Sequence, residues 1–490
     1  MKTLFIVQHV NFFRNLDTVM RELAARGHDV VFLHGTRLDD PRLKDLNERK
    51  AQKIAMMTRG LQVAQSEIPG VTTGYRPEPD EPWQRALLTG RLVMNRATYF
   101  RADHPAPERT VDGIEKELPE AWRARVHAPA WKAVLRRPAG LRAWRWIEAA
   151  SAPSPSVTAL LREVAPDVVV ASPTIWPKSP VEADYIRAAR ALGLPTIGYL
   201  NSWDNLTSKG TIHVLPETYI VWNEALAREA VDLHDVPPGT IRITGAPHLD
   251  HFFGMRPVAS RAELCARMGC PDDRPFLVFL CSSRTIFADE VPLVNRLVDA
   301  LERQFPAGAA PTLVVRPHPT NPFPFAEYTR PGVVVHPRQG DQADTPAAWQ
   351  EYFDQLAQSA AVFGLNTTAF LEAVVADRPC LTIVADEFHG AQGRTGHFRH
   401  LLQGGFLEVS ADAGEVARRV ARILDGADER REGRRDFVRW FIRPCGDTTP
   451  AAGIVADVIE RAALPHAGAA TPAVTALVPG LTLDGEGVAR

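Results

Sequence analysis

Leu313-Val314-Val315-Arg316-Pro317-His318-Pro319 decides how the rest of this chain is read. A short apolar run ends abruptly in an arginine and in a histidine held between two prolines. Continuous apolar runs of this length suit strands of a parallel sheet, which are buried on both faces. In open sheets of that kind, ligands bind in the crevice beyond the carboxyl ends of the strands. The prolines stiffen the loop and remove donors, so packing alone does not account for the histidine. Arg316 and His318 can both serve a phosphate. Further along, Phe363-Gly364-Leu365 leads into Asn366-Thr367-Thr368, and a helical pattern follows through Glu372-Ala373. Hydroxyls and free N–H groups at a helix start suit an anion, although a Thr-Thr pair there also serves as a plain N-cap. Glu372 falls one turn inside that helix. An acid there suits ribose hydroxyls and, equally, offsets the helix dipole. Together the two stretches read as a nucleotide-diphosphate pocket, with His318 also a catalytic candidate.

The 490 residues suggest two or three domains. A hydrophobic share of 45% and a charged share of 23% are those of a globular protein with sizeable cores. A net charge of -2 gives no global argument for nucleic acid. Five cysteines, at 265, 270, 281, 380 and 445, fit no zinc spacing, and three sit in or beside apolar runs. Reduced thiols and a cytoplasmic location are therefore expected. The opening apolar run is too short for a signal sequence or a membrane span, and no other run is long enough. No internal repeat is visible.

In chain order, Thr3 to His9 reads as a strand, followed by a helix to Ala25 and a strand from Val30 to Leu33. The loop after the first strand offers His9, Asn11 and Arg14 as contacts across a cleft, but no Gly-x-Gly-x-x-Gly. Residues 36–150 break the rhythm and read as a mainly helical insertion, with helices at Arg49–Ala64 and Trp83–Asn95. Within it, every charge from Trp122 to Trp146 is basic, interleaved with Trp131 and Trp144. That pattern suits peripheral contact with an anionic membrane face. It also suits a helix that buries its tryptophans, and Pro129 and Pro138 interrupt any long amphipathic helix. The α/β rhythm returns at Pro166. After the strand Thr196–Leu200 comes the polar loop Asn201 to Gly210. Trp203 could shield Asp204 from water and raise its pKa, as a general base requires, and an Asx turn is the plainer reading. Trp203 and Lys209 join the acceptor-side candidates. The first domain is placed at 1–250, an irregular charged linker at 251–274 and a second α/β domain at 275–430. C-terminal helices at 431–464 and a disordered tail at 465–490 complete the chain. In the second domain, Ser282, Ser283 and Arg284 end the first strand. Asp386 to His397 is a Gly-rich loop offering His389, Gln392 and His397.

Two strand–helix sheets, a linker and a phosphate-type pocket in the second describe the GT-B arrangement: two Rossmann-like, doubly wound domains facing a cleft. Thr244-Gly245-x-Pro247-x-x-Asp250 resembles the interdomain linker of the non-hydrolysing UDP-N-acetylglucosamine 2-epimerases and related glycosyltransferases. Arg316-Pro317-His318-Pro319 is similar to the Arg-x-His-Pro element of teichoic-acid glycerophosphotransferases and capsule transferases, in which the histidine contacts donor phosphates. Asn366-Thr367-Thr368 through Glu372-Ala373, with Arg378-Pro379, resembles their second phosphate element. The resemblance omits residues 36–150 and departs in two places. Trp203-Asp204 stands where the glycerophosphotransferases carry a catalytic His-Gly, which favours a carboxylate base. The epimerases' Gly-Gly is also replaced by Asn366-Thr367-Thr368. The resemblance thus implies a metal-independent glycosyltransferase with no cofactor, moving sugar from a nucleotide-sugar donor to a hydroxyl acceptor. The alternatives are a CDP-glycerol-type glycerophosphotransferase, a UDP-sugar 2-epimerase and a non-catalytic nucleotide-sugar binding protein.

Overall fold

A computed structural model describes residues 1–35, 62, 66, 68–101, 107–178, 180–284, 286–340, 343 and 345–464. The expected helix at Arg49–Ala64 falls almost wholly outside these residues, and the expected disordered tail falls outside them entirely. The first lobe opens β1 (Lys2–Val7), α1 (Phe13–Ala25), β2 (Asp29–His34) and β3 (Val71–Tyr75). Helices α2 (Pro82–Thr98), α3 (Glu108–Glu117), α4 (Glu120–His127), α5 (Pro129–Leu135), α6 (Pro138–Ala150) and α7 (Pro155–Val164) follow. It closes with β4 (Val168–Ser172), α8 (Glu182–Ala191), β5 (Thr196–Tyr199), α9 (Asn205–Ser208), β6 (Thr218–Val221), α10 (Glu224–His234) and β7 (Ile241–Ile243). Its sheet runs β3-β2-β1-β4-β5-β6-β7, parallel throughout.

The second lobe comprises α11 (Asp250–Gly254), α12 (Arg261–Met268), β8 (Phe276–Leu280), α13 (Val291–Gln304), β9 (Thr312–Arg316), β10 (Val333–Val335) and α14 (Pro346–Gln358). It continues through β11 (Ala361–Phe363), α15 (Ala369–Val375), β12 (Cys380–Ile383), α16 (Phe398–Gln403), β13 (Leu407–Ser410), α17 (Ala413–Leu424) and α18 (Arg431–Phe437). After a π-helical turn at Val438–Ile442, α19 (Ala451–Ala463) ends the described chain. The second sheet runs β10-β9-β8-β11-β12-β13. Strand order reverses beside β1 in one sheet and beside β8 in the other, so both sheets are doubly wound.

Alternation along the strands divides the cores. Phe5 and Val7 face α1 and α19, whereas Leu4 and Ile6 face α7 and α8. In the second sheet, Leu277 and Phe279 pack on α13 and α17. Val278 and Leu280 belong to a cluster that also holds Leu200, Trp203 and Trp222, so apolar packing is continuous between the lobes.

The described part of 36–150 is mainly helical, as expected, and it also supplies β3, which pairs in parallel with β2 and extends the first sheet at its edge. One expectation needs correction: 251–274 is not irregular. It holds α11 and α12, and a reciprocal Ser260–Glu263 capping box starts α12. The Thr244–Asp250 stretch is the hinge. Gly245 has φ +89°, and a Cβ there would lie 2.8 Å from the Ile442 carbonyl oxygen. The Asp250 carboxylate accepts from Arg443 at 2.7 Å and from the Ala452 N–H at 2.9 Å.

The insertion is anchored by a buried ring of charge. Arg91 on α2 donates to Glu148 on α6 at 2.6 and 2.9 Å and to Asp184 on α8 at 2.6 and 2.9 Å. Arg187 closes the ring on the same two carboxylates. Each carboxylate accepts from two guanidinium groups, which satisfies charges that would be costly to bury alone.

Candidate active site

The register of the second sheet sets the site. Leu280 pairs with Arg316, and Phe363 with Phe279, so the segments after β8, β9 and β11 emerge side by side. They face the first lobe across a cleft of about 810 Å³. Its walls include Ser283, Arg316, His318, Asn366, Thr367, Thr368, Glu372 and His397 from the second lobe. Asn11, Arg14, Trp203, Asp204 and Lys209 come from the first.

Arg316 ends β9 with its guanidinium 4.3 Å from the centroid of the Tyr352 ring and donates to Gln355 at 2.9 Å. The Tyr352 hydroxyl donates to Glu372 at 2.6 Å. Burial and the Glu372 charge push that hydroxyl far above its ordinary pKa, so it remains a donor. Arginine, tyrosine and glutamate thus form one linked chain along the second-lobe wall. Neither Tyr352 nor Trp349, which also lines the cleft, was singled out from the sequence. Their spacing of three on α14 puts both on one face and was the available signal.

His318 is oriented by its own loop. Its Nδ1 accepts the Thr320 N–H at 3.1 Å, which leaves the ring proton on Nε2. Burial, and then the charge of Arg14, push it down to about 4. His248, in the hinge, also lines the cleft and was missed because Gly245 and Pro247 marked the stretch as an interdomain linker. Its ring lies 4.8 Å from that of Trp222, and burial and Arg14 push it down to about 3. Arg14 from the first lobe therefore shares a region with two neutral histidines, one in the hinge and one in the second lobe. Adding an anion there would relieve the cationic crowding.

Asp204 behaves differently from expectation. The Trp203 indole does not shield it but turns across to the second lobe. There Nε1 donates to the Thr368 hydroxyl at 3.2 Å, and the ring meets the His397 imidazole edge-on at 4.8 Å. Burial alone would push Asp204 up. The Lys209 ammonium at 3.3 Å, the nearby His397 and the hydrogen bonds of Ser202 and Ser208 outweigh it. The carboxyl is held well below the usual range, so the expected upward shift is reversed. His397 is itself pushed down to about 4, mainly by burial.

The insertion fixes this loop. Asn95 on α2 accepts from the Thr211 N–H at 3.0 Å and donates to the Trp176 carbonyl at 3.0 Å. The Tyr99 hydroxyl accepts from the Gly210 N–H at 2.9 Å. Gly210 is required, since its φ is +103° and a Cβ would lie 2.4 Å from the Asn95 amide oxygen.

Other candidates fall outside the cleft wall. Ser282 is buried beneath it, its N–H donating to Glu290 at 2.9 Å, because alternate residues leaving β8 face opposite ways. Arg284 is exposed beyond the wall, and His9 packs on Trp176 with ring centroids 5.4 Å apart. Gln392 turns inward and donates to the Ile383 carbonyl at 2.9 Å, while His389 stays outside the wall. Asn366 lines the cleft, but its amide N–H groups are spent on the 386–397 loop, donating to the Ala391 carbonyl at 2.7 Å and Thr395 at 2.9 Å.

Two facing doubly wound lobes with a cleft at their strand ends define the GT-B fold. The UDP-GlcNAc 2-epimerase of Methanocaldococcus jannaschii aligns over 94% of this chain and 100% of its own, at TM-score 0.52 and 10% identity. The glycotransferase of kitacinnamycin aligns over 94% and 98% at TM-score 0.47 and 13% identity, and the calicheamicin glycosyltransferase over 94% and 98% at 0.45 and 15%. The likeness to the first of these, at 10% identity, is one of fold alone. No protein-family profile and no curated protein matches the sequence. No helix among the described residues is long and apolar enough to cross a membrane.

Proposed function

We propose that this chain is a glycosyltransferase that moves a sugar from a nucleotide-diphosphate sugar to a hydroxyl acceptor. The observation that carries the reading is the convergence of Arg316 and the His318 Nε2–H from the second lobe with Arg14 from the first on one cleft, which the Asp204 carboxylate also lines. In the transfer, the bond between the anomeric carbon and the β-phosphate oxygen breaks with its electron pair on phosphate. Arg316, His318 and Arg14 stabilise the growing charge, an effect worth ~2.7–4 kcal/mol per donor. Thr367 and Thr368 line the same cleft. Glu372, held by Tyr352, takes the ribose hydroxyls. The acceptor oxygen forms the new bond and gives its proton to Asp204. A carboxylate of low basicity suffices, because that oxygen becomes strongly acidic only once bonded to the anomeric carbon. Asn11, Trp203 and Lys209 belong to the acceptor side, and closing of the lobes would keep water from the donor.

The test is Asp204→Asn, which should abolish transfer while nucleotide binding stays near normal. The product separates the rival chemistries. Sugar transfer releases a nucleoside diphosphate, whereas glycerol-phosphate transfer from CDP-glycerol releases a monophosphate. An epimerase converts a lone sugar nucleotide, and a binding protein releases nothing.

A further inference from the structure

The insertion carries a second surface that the cleft does not use. Helix α5 fully buries none of its residues. On it, Trp131 is 44% and Val134 56% exposed, and on the next helix Trp146 is 73% and Ile147 46% exposed. The two faces of α6 explain the last pair. Leu141, Trp144 and Glu148 face the protein, and the Trp144 indole N–H donates to His213 at 3.2 Å. The outward stripe is Ala139, Arg142, Ala143, Trp146, Ile147 and Ala150, all exposed. A solvent-facing helix ordinarily carries polar residues there, and an apolar face rimmed by charge marks an interaction site. Around it the charge is mostly basic. Arg136 and Arg137 stand exposed at the α5–α6 turn. Arg125 lies over the Trp122 ring at 5.7 Å, and Lys132 over Phe100 at 5.0 Å. Asp235 brings an acidic group to the rim, 3.6 Å from Arg142.

We propose that the α5–α6 face docks the protein on an anionic lipid bilayer, with Trp131 and Trp146 in the headgroup region and Arg136, Arg137 and Arg142 on lipid phosphates. A bilayer surface answers both features at once, since aromatic side chains favour the interface and cations gain from the surface potential. A second copy would answer only the apolar part, because a twofold pairing of this face sets its arginines against each other. Nucleic acid would answer only the charge. The same insertion supplies Glu108, Arg109 and Thr110 to the cleft wall. A docked molecule would therefore meet acceptors presented at the membrane. That consequence rests on the transferase reading, whereas the docking itself does not.

The experiment is co-flotation of the full chain with vesicles of phosphatidylcholine alone or mixed with phosphatidylglycerol, at low and high salt. Binding should require the anionic lipid and fall with salt. Arg136→Gln with Arg137→Gln should lower the partition coefficient about 25-fold, at about fivefold per surface cation. Trp131→Ala and Trp146→Ala should each lower it roughly tenfold, and Trp146→Ala is the stability-neutral variant, because its ring is 73% exposed whereas Trp131 also packs edge-on against Trp122. Equal binding to both vesicle types, no binding at low salt, or variants that bind like the parent would overturn the proposal. So would sedimentation showing a dimer that Trp146→Ala dissolves. None of these readouts depends on catalysis, so failure here and failure of the transferase reading are distinguishable.

Discussion

Replacing Arg316 by alanine tests the donor wall most directly. The contacts of the guanidinium include the stack on Tyr352 and the hydrogen bond to Gln355. Losing them should cost about 1–2 kcal/mol of stability, so the variant should remain folded. A hydrogen bond between a charged group and phosphate contributes ~1.5–3 kcal/mol. At 1.4 kcal/mol per factor of ten, nucleoside diphosphates should bind roughly 10- to 150-fold more weakly. Arg316→Lys should recover part of this, since it keeps the charge but loses the planar fork and the flat stack. The assay is isothermal titration with a panel of nucleoside diphosphates. Thermal shift serves as a second measure, because a ligand that binds only the folded state raises its stability. An alanine variant that binds every member as tightly as the parent would refute the reasoning. The arginine would then face no phosphate, and the reading of Leu313–Pro319 as a donor site would fall with it.

Tyr352→Phe should weaken binding of nucleoside diphosphates but not of inorganic pyrophosphate, because Glu372 loses the partner that fixes it for the ribose; calorimetry on both ligands separates the two. Acid should destabilise the fold from about pH 6.5 downward. His318, His248 and His397 sit at about 4, 3 and 4 when folded, against ~6.5 in the unfolded chain. Between those values the unfolded chain binds more protons, so stability rises with pH through this window and levels off above it. His397→Gln should flatten the curve by up to roughly 3 kcal/mol, read from urea titrations at several pH values. Arg91→Leu should cost ~3–5 kcal/mol by leaving Glu148 and Asp184 short of positive charge. It should also loosen the 201–213 loop, visible as faster amide exchange there.

The central strands were legible because both their faces are buried. Phe276–Leu280 and Thr312–Arg316 are nearly continuous apolar runs, and no helix of that length would read so. The edges were not. Val71-Thr72-Thr73-Gly74-Tyr75 and Leu407-Glu408-Val409-Ser410 alternate or carry hydroxyls, because one side of an edge strand meets water. The helices at 250–254 and 261–268 were lost among charges that face solvent. In the site, Arg316 and His318 could be placed from the loop chemistry alone. The side chains that steer them could not, since Tyr352, Gln355 and Arg14 lie far away in sequence. Ser282 and Ser283 are indistinguishable as letters, yet the pleat sends one to the cleft and buries the other. The direction of the Trp203 indole was likewise beyond local reading. It is set by Thr368 and His397 on the opposite lobe, and with it went the expected environment of Asp204.

The last described helix does not stay with the lobe it follows. Ala452, Val455, Ala456 and Ile459 of α19 complete the core beneath α1, and Arg26 bridges to Asp457 at 2.6 Å and Glu460 at 3.0 Å. The N-terminal half therefore leaves the ribosome with a gap in its interior that only residues made some two hundred positions later can fill. Its final packing must await the synthesis of Ala451–Ala463. For the same reason, a protease cut at the hinge would not yield two independent halves, since the strap near the C-terminus would still bind them together.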